Sequence, residues 1–368
     1  MNQKASNSTE PGLMRQSSRM RDLAHTLRRW LLWPLSLLSP LGLGHDFRGN
    51  PVIGSPLLNR LGLHVLRVLF ARLLTAWRRL WLRRLLPGDL RAAYHRDGFL
   101  LLESFLEPTQ FSALRDEVMR ATGEVRECMQ GDTLTHRLLL DGTALDALPA
   151  IRSLCAHPMF AGALRYVGAS NSMPLHYIQS IRNGVRVGAA DPQKVLHSDT
   201  FHPTMKAWFF LEDVPAEHGP FTYVPGSHRL DLPRLRWEYR RSCVASGLRD
   251  GYSEKGSFRI EEQELPGLGL PPPRVFTVSA NTLVVADTCG MHRRGDAIPG
   301  ARRLEIWSYS RLNPFNPWPG MNSAWRARLY TLLLRRKWER LDRIAEARGT
   351  LSSWHPVPTA ELHRNTGD

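Results

Sequence analysis

The chain divides into three parts that differ in their pattern of hydrophobic and polar positions. Residues 1–90 combine a polar start with long leucine-rich runs. In residues 91–320, short apolar runs alternate with Gly, Pro and Asn turns. Residues 321–368 begin with a basic amphipathic helix, predicted over residues 325–348. This succession predicts a basic apolar N-terminal segment, an α+β domain and a C-terminal helix followed by a tail.

The N-terminal part contains two apolar stretches of different kinds. Residues 30–45 carry no full charge, but Pro34 and Pro40 interrupt them. The run is therefore shorter than the roughly 20 apolar residues that a membrane-spanning helix needs. Residues 57–89 predict one leucine-rich helix that ends at Pro87. The sequence has neither a short basic leader nor a small-residue cleavage site here, so we expect no cleaved signal peptide.

Arginines interrupt the leucines of the predicted helix too often for it to cross a membrane. They are Arg67, Arg72, Arg78, Arg79, Arg83 and Arg84. The mixture of leucine, Trp77 and Trp81 with arginine fits a helix that lies in the headgroup layer, where the arginines reach phosphates. The alternative is a helix that packs on the folded body with its arginines in water.

Composition and charge narrow the class of protein. Hydrophobic residues at 42% and charged residues at 23% exclude wholesale disorder. The chain has 49 Lys+Arg against 34 Asp+Glu, a net charge of +15, and residues 1–90 alone carry +10. The N-terminal segment is therefore much more basic than the rest of the chain, which predicts an anionic membrane surface as a partner. Leucines dilute the basic residues, so nucleic acid is not expected as a partner.

The four cysteines are far apart, which disfavours disulfides and a thiolate zinc site.

The middle part has the sequence pattern of a β-rich domain. A turn at Asp97-Gly98 precedes a short apolar strand, and Glu107-Pro108 begins an amphipathic helix. Between residues 175 and 312, many short strands are separated by turns. This spacing predicts a β-sandwich or a β-barrel.

The candidate chemistry lies in the same region. His197 and Asp199 form an H-x-D pair, and residues i and i+2 of an extended segment project to one side. His292 follows an apolar strand, and Arg303 lies eleven positions further on. Two imidazoles and a carboxylate on a β-scaffold are the ligand set of non-haem Fe(II) oxygenases, and an arginine suits the carboxylate of a 2-oxo acid. The H-x-D pair alone would also fit a surface ion pair.

The order of motifs over residues 93–315 resembles the phytanoyl-CoA dioxygenase family of Fe(II)/2-oxoglutarate oxygenases, which includes ectoine hydroxylase. The motifs are AAYHRDGF, LHSDT, AWFFLEDVPAEHGPFTYVPGSH and HRRGD, followed by Arg303. The resemblance implies a double-stranded β-helix core of the jelly-roll or cupin type, with flanking helices. It also implies an enzyme that uses 2-oxoglutarate and O2 to hydroxylate an unactivated C–H bond.

The resemblance also assigns roles to individual residues. It implies that His197, Asp199 and His292 bind Fe(II). Arg303 resembles the residue that holds the distal carboxylate of 2-oxoglutarate, and Trp208 and Gln179 match residues that line the co-substrate pocket.

The chain departs from the family pattern at two places. Arg293 and Arg294 follow His292, where the family often has a small hydroxyl residue. Arg302 lies beside Arg303, and strand alternation allows only one of these two side chains to point inward. Which arginine takes the carboxylate is therefore open.

Other residues near the motifs have less specific roles. We expect His202 to face substrate or solvent, His228 to stabilise a turn and Asp287 to cap a turn. Trp307 and Tyr309 fit pocket walls and ordinary core positions equally well.

Three functions remain open at this point. The first is a hydroxylase, whose substrate would be a small molecule or, given the basic apolar segment, a lipid or lipid-linked compound. The second is a related desaturation or epoxidation of a soluble metabolite. The third is a peripheral membrane protein with an inactive oxygenase core, which the intact ligand set disfavours. Because Fe(II) and 2-oxoglutarate are supplied inside the cell, we expect a cytoplasmic location, at the membrane face if the N-terminal segment binds lipid.

Overall fold

The computed structural model describes residues 41–186, 188 and 191–364. Most of the apolar run at residues 30–45 therefore lies outside the described residues. The α-helices of the described part are α1 (Pro56–Arg60), α2 (Leu63–Leu82), α3 (Gly88–Asp97), α4 (Pro108–Arg120), α5 (Gly142–Ala147), α6 (Pro149–Ala156), α7 (Pro158–Val167), α8 (Leu232–Val244), α9 (Ala324–Glu346) and α10 (Ala360–His363).

The β-strands form two antiparallel sheets. They are β1 (Phe99–Leu102), β2 (Val125–Gln130), β3 (Thr133–Leu139), β4 (Leu175–Arg182), β5 (Met205–Phe210), β6 (Phe221–Tyr223), β7 (Arg274–Val275), β8 (Thr282–Asp287), β9 (His292–Arg294), β10 (Arg302–Ser310) and β11 (His355–Val357). Within the described residues, the large sheet has the order β1-β8-β5-β10-β4-β3-β2-β11, and the small sheet has the order β7-β6-β9. Together with the flanking helices, the sheets confirm the predicted α+β jelly-roll architecture.

The two faces of the large sheet serve different purposes. On β10, Leu304 and Ile306 point to the outer face and join the core that packs against helices α4, α6 and α7. Trp307 points to the inner face and joins the aromatic cluster between the two sheets. Because successive side chains of a strand alternate, Arg303 and Glu305 share the inner face with Trp307. The space between the sheets is therefore where polar chemistry can be enclosed.

The predicted helix over residues 57–89 is interrupted in the structure. Gly62 has a φ of 97°, in the left-handed region that glycine adopts most readily, and it separates α1 from α2. Beyond Leu82 the chain tightens into a 3₁₀ turn over Arg83–Leu85. The prediction of one continuous helix was wrong because the leucine pattern runs through the glycine without a change.

Helix α2 packs on the oxygenase-like body with its arginines turned inward. Arg78 is 2% exposed, and it donates hydrogen bonds to the carbonyls of Ala169 (2.9 Å), Pro314 (3.1 Å) and Asn316 (2.6 Å). Arg79 lies 3.3 Å from the buried carboxylate of Asp287. For these arginines, both the prediction of headgroup contacts and the alternative of arginines in water were wrong, because backbone carbonyls and a buried carboxylate take the guanidinium groups.

The outward face of α2 is apolar as a consequence. Its exposed large apolar side chains are Leu66, Leu69, Phe70, Leu73, Trp77, Leu80 and Trp81. We call these residues the outer face of α2. None of the helices in the described part is long and apolar enough to cross a membrane.

The C-terminal part returns to the body. Helix α9 confirms the helix predicted over residues 325–348. Strand β11 then pairs with β2 at the edge of the large sheet, with His355 opposite Glu127 and Val357 opposite Val125. Strands β2, β3 and β11 were not predicted, and through them the tail becomes part of the sheet.

We expect Arg78→Met to destabilise the full-length protein by about 2–4 kcal/mol, because it leaves several buried carbonyls without a donor. Arg84→Met is the matched control, since Arg84 is exposed, and should change stability by less than about 0.5 kcal/mol. Equilibrium urea unfolding measures both free energies. Equal stability of the two variants would contradict the structural role of the buried arginine.

Candidate metal centre

His197 and His292 lie on two neighbouring extended segments whose backbones pair. The His197 amide donates to the His292 carbonyl (3.0 Å), and the His292 amide donates to the His197 carbonyl (2.8 Å). The two ring centroids are 4.4 Å apart, and both side chains are buried. This pairing places side by side two imidazoles that are distant in the sequence.

Each imidazole has one ring nitrogen engaged by the backbone. Nδ1 of His197 lies 2.7 Å from the Val195 carbonyl, and Nδ1 of His292 lies 3.0 Å from the Gly290 carbonyl. A neutral imidazole that donates through Nδ1 presents the lone pair of Nε2. Burial lowers the pKa of His292 to about 4 and, with the neighbouring His292, holds the pKa of His197 well below its ordinary value. Both rings are therefore neutral near pH 7, as metal binding requires.

Asp199 completes the cluster. Its Oδ1 lies 3.8 Å from Nε2 of His197 and 3.7 Å from Nε2 of His292, too far for hydrogen bonds. Its Oδ2 lies 2.7 Å from Nζ of Lys206. Burial would raise the pKa of the Asp199 carboxyl, but the charge of Lys206 and the two imidazoles outweigh burial and hold that pKa below its usual range. The carboxylate is therefore ionised.

The three side chains fit a single metal ion. One ligand atom from each lies within 4.8 Å of the others, and no other such cluster is found among the residues that the structure describes. Ligand atoms on one face of an octahedral site with bonds of about 2.1 Å lie about 3 Å apart. The separations of 3.7 and 3.8 Å are within about 1 Å of this value, so small side-chain movements would bring the carboxylate and the imidazoles to one ion. Two imidazoles and one carboxylate are the facial ligand set of non-haem Fe(II).

A cavity of about 280 Å³ lies beside the cluster, between the two sheets, and we call it the metal cavity. Its lining residues are Gln130, Thr135, Arg137, Gln179, Ile181, Gln193, His197, Lys206, Trp208, Phe221, His292, Arg293, Arg294, Arg303, Trp307 and Trp354. The lining contains five lysine or arginine side chains and no carboxylate. Such a cavity favours an anionic ligand.

The two neighbouring arginines of β10 point in opposite directions. Arg303 lines the metal cavity and is 4% exposed, and its guanidinium donates to the Gly219 carbonyl. Arg302 lies 3.6 Å from Glu212 and does not line the cavity. Of the pair, only Arg303 is placed to meet a ligand in the cavity.

The other two predicted pocket residues also line the metal cavity. Trp208 stacks on Phe221, with ring centroids 4.2 Å apart. Gln179 donates through Nε2 to Glu305 (2.5 Å) and accepts through Oε1 from Arg137 (2.6 Å). These two bonds define the orientation of the Gln179 amide.

Some cavity residues were not found from the sequence. The guanidinium carbon of Arg137 lies 3.8 Å from the ring centre of Trp307 and 4.6 Å from that of Trp354. Arg137 belongs to the unpredicted strand β3, and Trp354 reaches the cavity from the C-terminal tail. Lys206 could have been found, because it lies two residues before Trp208 and therefore shares its face of β5.

Arg293 and Arg294, which depart from the family pattern, also line the metal cavity. Arg294 pairs with the buried Asp191 (2.5 Å), and Arg293 lies 3.3 Å from Glu262. At a position where the family often has a small hydroxyl residue, this chain has two arginines that line the cavity and also pair with carboxylates.

Among the residues with less specific predictions, Trp307 lines the metal cavity, whereas His202, His228 and Asp287 do not. Nδ1 of His202 lies 3.1 Å from the Pro203 carbonyl. His228 packs so closely under Gly98 that a Cβ at Gly98 would lie 2.5 Å from the histidine ring. Asp287 accepts hydrogen bonds from a tyrosine hydroxyl and two backbone amides, one of them two residues further on, which confirms the predicted turn cap.

Comparisons with known proteins support the resemblance that the motifs indicated. The family model described as Phytanoyl-CoA dioxygenase (PhyH) matches residues 94–260. This match confirms the predicted resemblance to the phytanoyl-CoA dioxygenase family over residues 94–260. The matched range contains His197 and Asp199, whereas His292 and Arg303 lie beyond it. Together with the ectoine dioxygenase relatives described next, the match confirms the predicted class of enzyme, a 2-oxoglutarate-dependent dioxygenase.

Individual relatives are similar to the chain at modest identity. The ectoine dioxygenase of Bordetella bronchiseptica is 29% identical over 262 residues, which cover 63% of this chain and 78% of that protein. Among solved structures, the 2-oxoglutarate-dependent epimerase SnoN from nogalamycin biosynthesis is 21% identical, with a TM-score of 0.41 and coverage of 61% of this chain and 85% of SnoN. EctD from S. alaskensis is 16% identical, with a TM-score of 0.38 and coverage of 66% and 83%.

Proposed function

We propose that this protein hydroxylates an unactivated C–H bond, with Fe(II) held by His197, Asp199 and His292 and with 2-oxoglutarate anchored by Arg303. One observation carries the proposal: three metal-ligand atoms converge beside a cavity whose lining contains five lysine or arginine side chains and no carboxylate. 2-Oxoglutarate is a dianion, so its charge complements this cavity.

The residues around the cluster prepare it for the metal. When bound, Fe(II) supplies the chemistry that places one oxygen atom of O2 into the C–H bond, while the other atom converts 2-oxoglutarate to succinate and CO2. The carbonyls of Val195 and Gly290 keep the Nε2 lone pairs of the imidazoles available. Lys206 keeps Asp199 ionised. Trp208 and the neighbouring aromatic rings provide an apolar wall that limits the entry of water.

Arg303 is suited to hold the distal carboxylate of 2-oxoglutarate because it is buried and faces the cavity. A guanidinium can bind a carboxylate through two parallel hydrogen bonds, and burial strengthens that contact. Gln179 and Trp208 line the same cavity and would bound the co-substrate on its other sides. Arg302, on the opposite face of β10, has Glu212 as its neighbour instead.

We expect His197→Ala, Asp199→Ala and His292→Ala each to weaken Fe(II) binding by at least about 100-fold, because two ligands hold the ion poorly. Succinate formation from 2-oxoglutarate should be lost in parallel. Anaerobic Fe(II) titration and a succinate assay measure the two effects. His202→Ala is the control, since this buried imidazole lies outside the cluster, and it should keep both activities. A cluster variant that binds Fe(II) and turns over like the parent would remove that residue from the site.

We expect Arg303→Ala to raise the 2-oxoglutarate KM by about 10- to 150-fold, because a buried charge-assisted contact contributes roughly 1.5–3 kcal/mol. Arg302→Ala should change this KM by less than about threefold, since its side chain points away from the cavity. Steady-state turnover at varied 2-oxoglutarate measures both constants. The reverse ranking would show that Arg302, rather than Arg303, meets the co-substrate.

We further propose that the enzyme acts at the cytoplasmic face of a membrane on a lipid or lipid-linked substrate. The outer face of α2 supports this, because seven apolar side chains there are exposed while the arginines of the helix point inward. An exposed apolar face of this kind is typical of an interaction surface. Helix α9 adds exposed Trp325, Leu329 and Tyr330 beside the basic residues Arg326 and Arg328. The alternative substrate is a small soluble metabolite, which the names of the curated relatives favour.

We expect the full-length protein to float with anionic liposomes, because apolar insertion and basic residues act together at such a surface. The double substitution Leu73→Glu with Trp77→Glu, on the outer face of α2, should reduce the floated fraction at least about fivefold. Leu232→Glu with Val244→Glu is the matched control on α8, where both residues are exposed apolar side chains, and it should float like the parent.

Substitution is a sharper test than removal of the N-terminal part. A truncation before Asp89 would also remove Arg78 and Arg79, whose guanidinium groups satisfy buried partners in the body. If the parent protein stays in the soluble fraction at low salt, the membrane proposal is wrong.

A further inference from the structure

A second and larger cavity lies next to the metal cavity. Its volume is about 540 Å³, and we call it the outer cavity. It is bounded by the ends of β4 and β10, by residues 311–323 and by the first turns of α9. Its apolar lining residues are Leu43, Met173, Leu175, Leu312, Trp318, Met321, Ala327 and Tyr330. Most of the lining falls outside the family match at residues 94–260.

Strand β10 connects the two cavities. Tyr309 lines the outer cavity, and Trp307 lines the metal cavity. The two rings are nearly parallel, at 11°, with centroids 5.7 Å apart. Because residues i and i+2 share one face of a strand, the rings form a continuous aromatic wall from one cavity to the other.

The outer cavity also adjoins the outer face of α2. Trp318, which lines the cavity and is 55% exposed, lies 5.7 Å from Trp81 between ring centroids. Trp81 in turn contacts Trp77, at 5.9 Å. An apolar surface thus leads from the outside of the protein to the cavity.

The charges of the outer cavity have one sign. Arg311 and Arg326 line it, and no carboxylate does. Arg326 is exposed and has no carboxylate within 4 Å among the described residues. A ligand that complements this lining would carry an anionic group near Arg326 and an apolar body in the interior.

We propose that the outer cavity binds the hydrocarbon chain of an anionic amphiphile and directs that chain along Tyr309 and Trp307 toward the metal centre, where it is the substrate. The volume suits a chain of lipid size, since ligand pockets of roughly 300–1,000 Å³ enclose molecules of this scale. The identification of the amphiphile as substrate rests on the proposed function, but its binding in the outer cavity does not.

Binding of the fluorescent fatty acid cis-parinaric acid to the full chain tests the proposal. Ala327 is half-buried and lines the cavity, so Ala327→Trp should fill part of the space and weaken binding about tenfold. Ala347→Trp is the matched control, because Ala347 is exposed just beyond the other end of the same helix, and it should bind like the parent. Equal binding by both variants would overturn the proposal.

A second pair of variants tests the headgroup. Arg326→Glu should weaken binding of the acid about fivefold and leave binding of its uncharged methyl ester unchanged. Arg340→Glu, on an exposed part of α9 away from the cavity, should affect neither probe. If the full-length protein binds neither the acid nor the ester, the proposal fails.

The two proposals fail in distinguishable ways. We expect Ala327→Trp to keep the Fe(II) affinity of the parent, and His197→Ala to keep its parinaric acid affinity. The acid should raise succinate formation in the parent and not in Ala327→Trp. Binding without any rise in succinate would overturn the assignment of the amphiphile as substrate. Loss of cluster-dependent Fe(II) binding, by contrast, would overturn the proposed function alone.

Discussion

The backbone pairing between His197 and His292 is the constraint on which the metal centre depends. Two hydrogen bonds, of 3.0 and 2.8 Å, join the loop before β5 to the first residue of β9. They set which way each imidazole points, because a slip of one residue would turn a side chain to the opposite face. With the rings held together, Asp199 needs only the H-x-D spacing to bring its carboxylate within 4 Å of both. The cluster is therefore assembled by main-chain geometry before any ligand is present.

The backbone of strand β10 likewise positions side chains, in this case along both cavities. Its outer side chains, Leu304 and Ile306, bind the sheet to the helices and make the strand rigid. Its inner side chains face the space between the sheets, where Arg303 reaches the metal cavity and Tyr309 reaches the outer cavity. One strand thus carries part of the core and part of both cavities. A rigid strand holds such groups more precisely than a loop would.

Helix α2 reverses the usual arrangement of an amphipathic helix. Carbonyls at Ala169, Pro314 and Asn316 accept hydrogen bonds from Arg78, and the carboxylate of Asp287 pairs with Arg79. A buried polar group without a partner is costly, so these contacts keep the arginines inside even though leucine and tryptophan are left outside. The result couples the N-terminal segment to the body and leaves an apolar surface next to the outer cavity.

Much of the fold could be predicted from local patterns. Periodicity and turn residues predict three features: the β-rich middle part, the helix that begins at Glu107-Pro108, and helix α9. These signals act over only a few positions of the chain. The residues proposed for metal and co-substrate binding were found from motif order and spacing. The structure places all of them at or beside one cavity.

The remaining features depend on contacts between distant residues. Strand alternation showed that only one of Arg302 and Arg303 could face inward. Which of the two does so depends on the register of β10 against its neighbours. The arginines of α2 point inward because of carbonyls that lie about 90 to 240 positions away, which no local pattern contains. Arg137 and Trp354 meet only because β11 completes the sheet edge. The sequence by itself determined many of the elements and the candidate ligand residues, since both follow from short-range order. The tertiary structure alone decided which side chains face each other, because burial and hydrogen-bond demand are properties of the assembled fold.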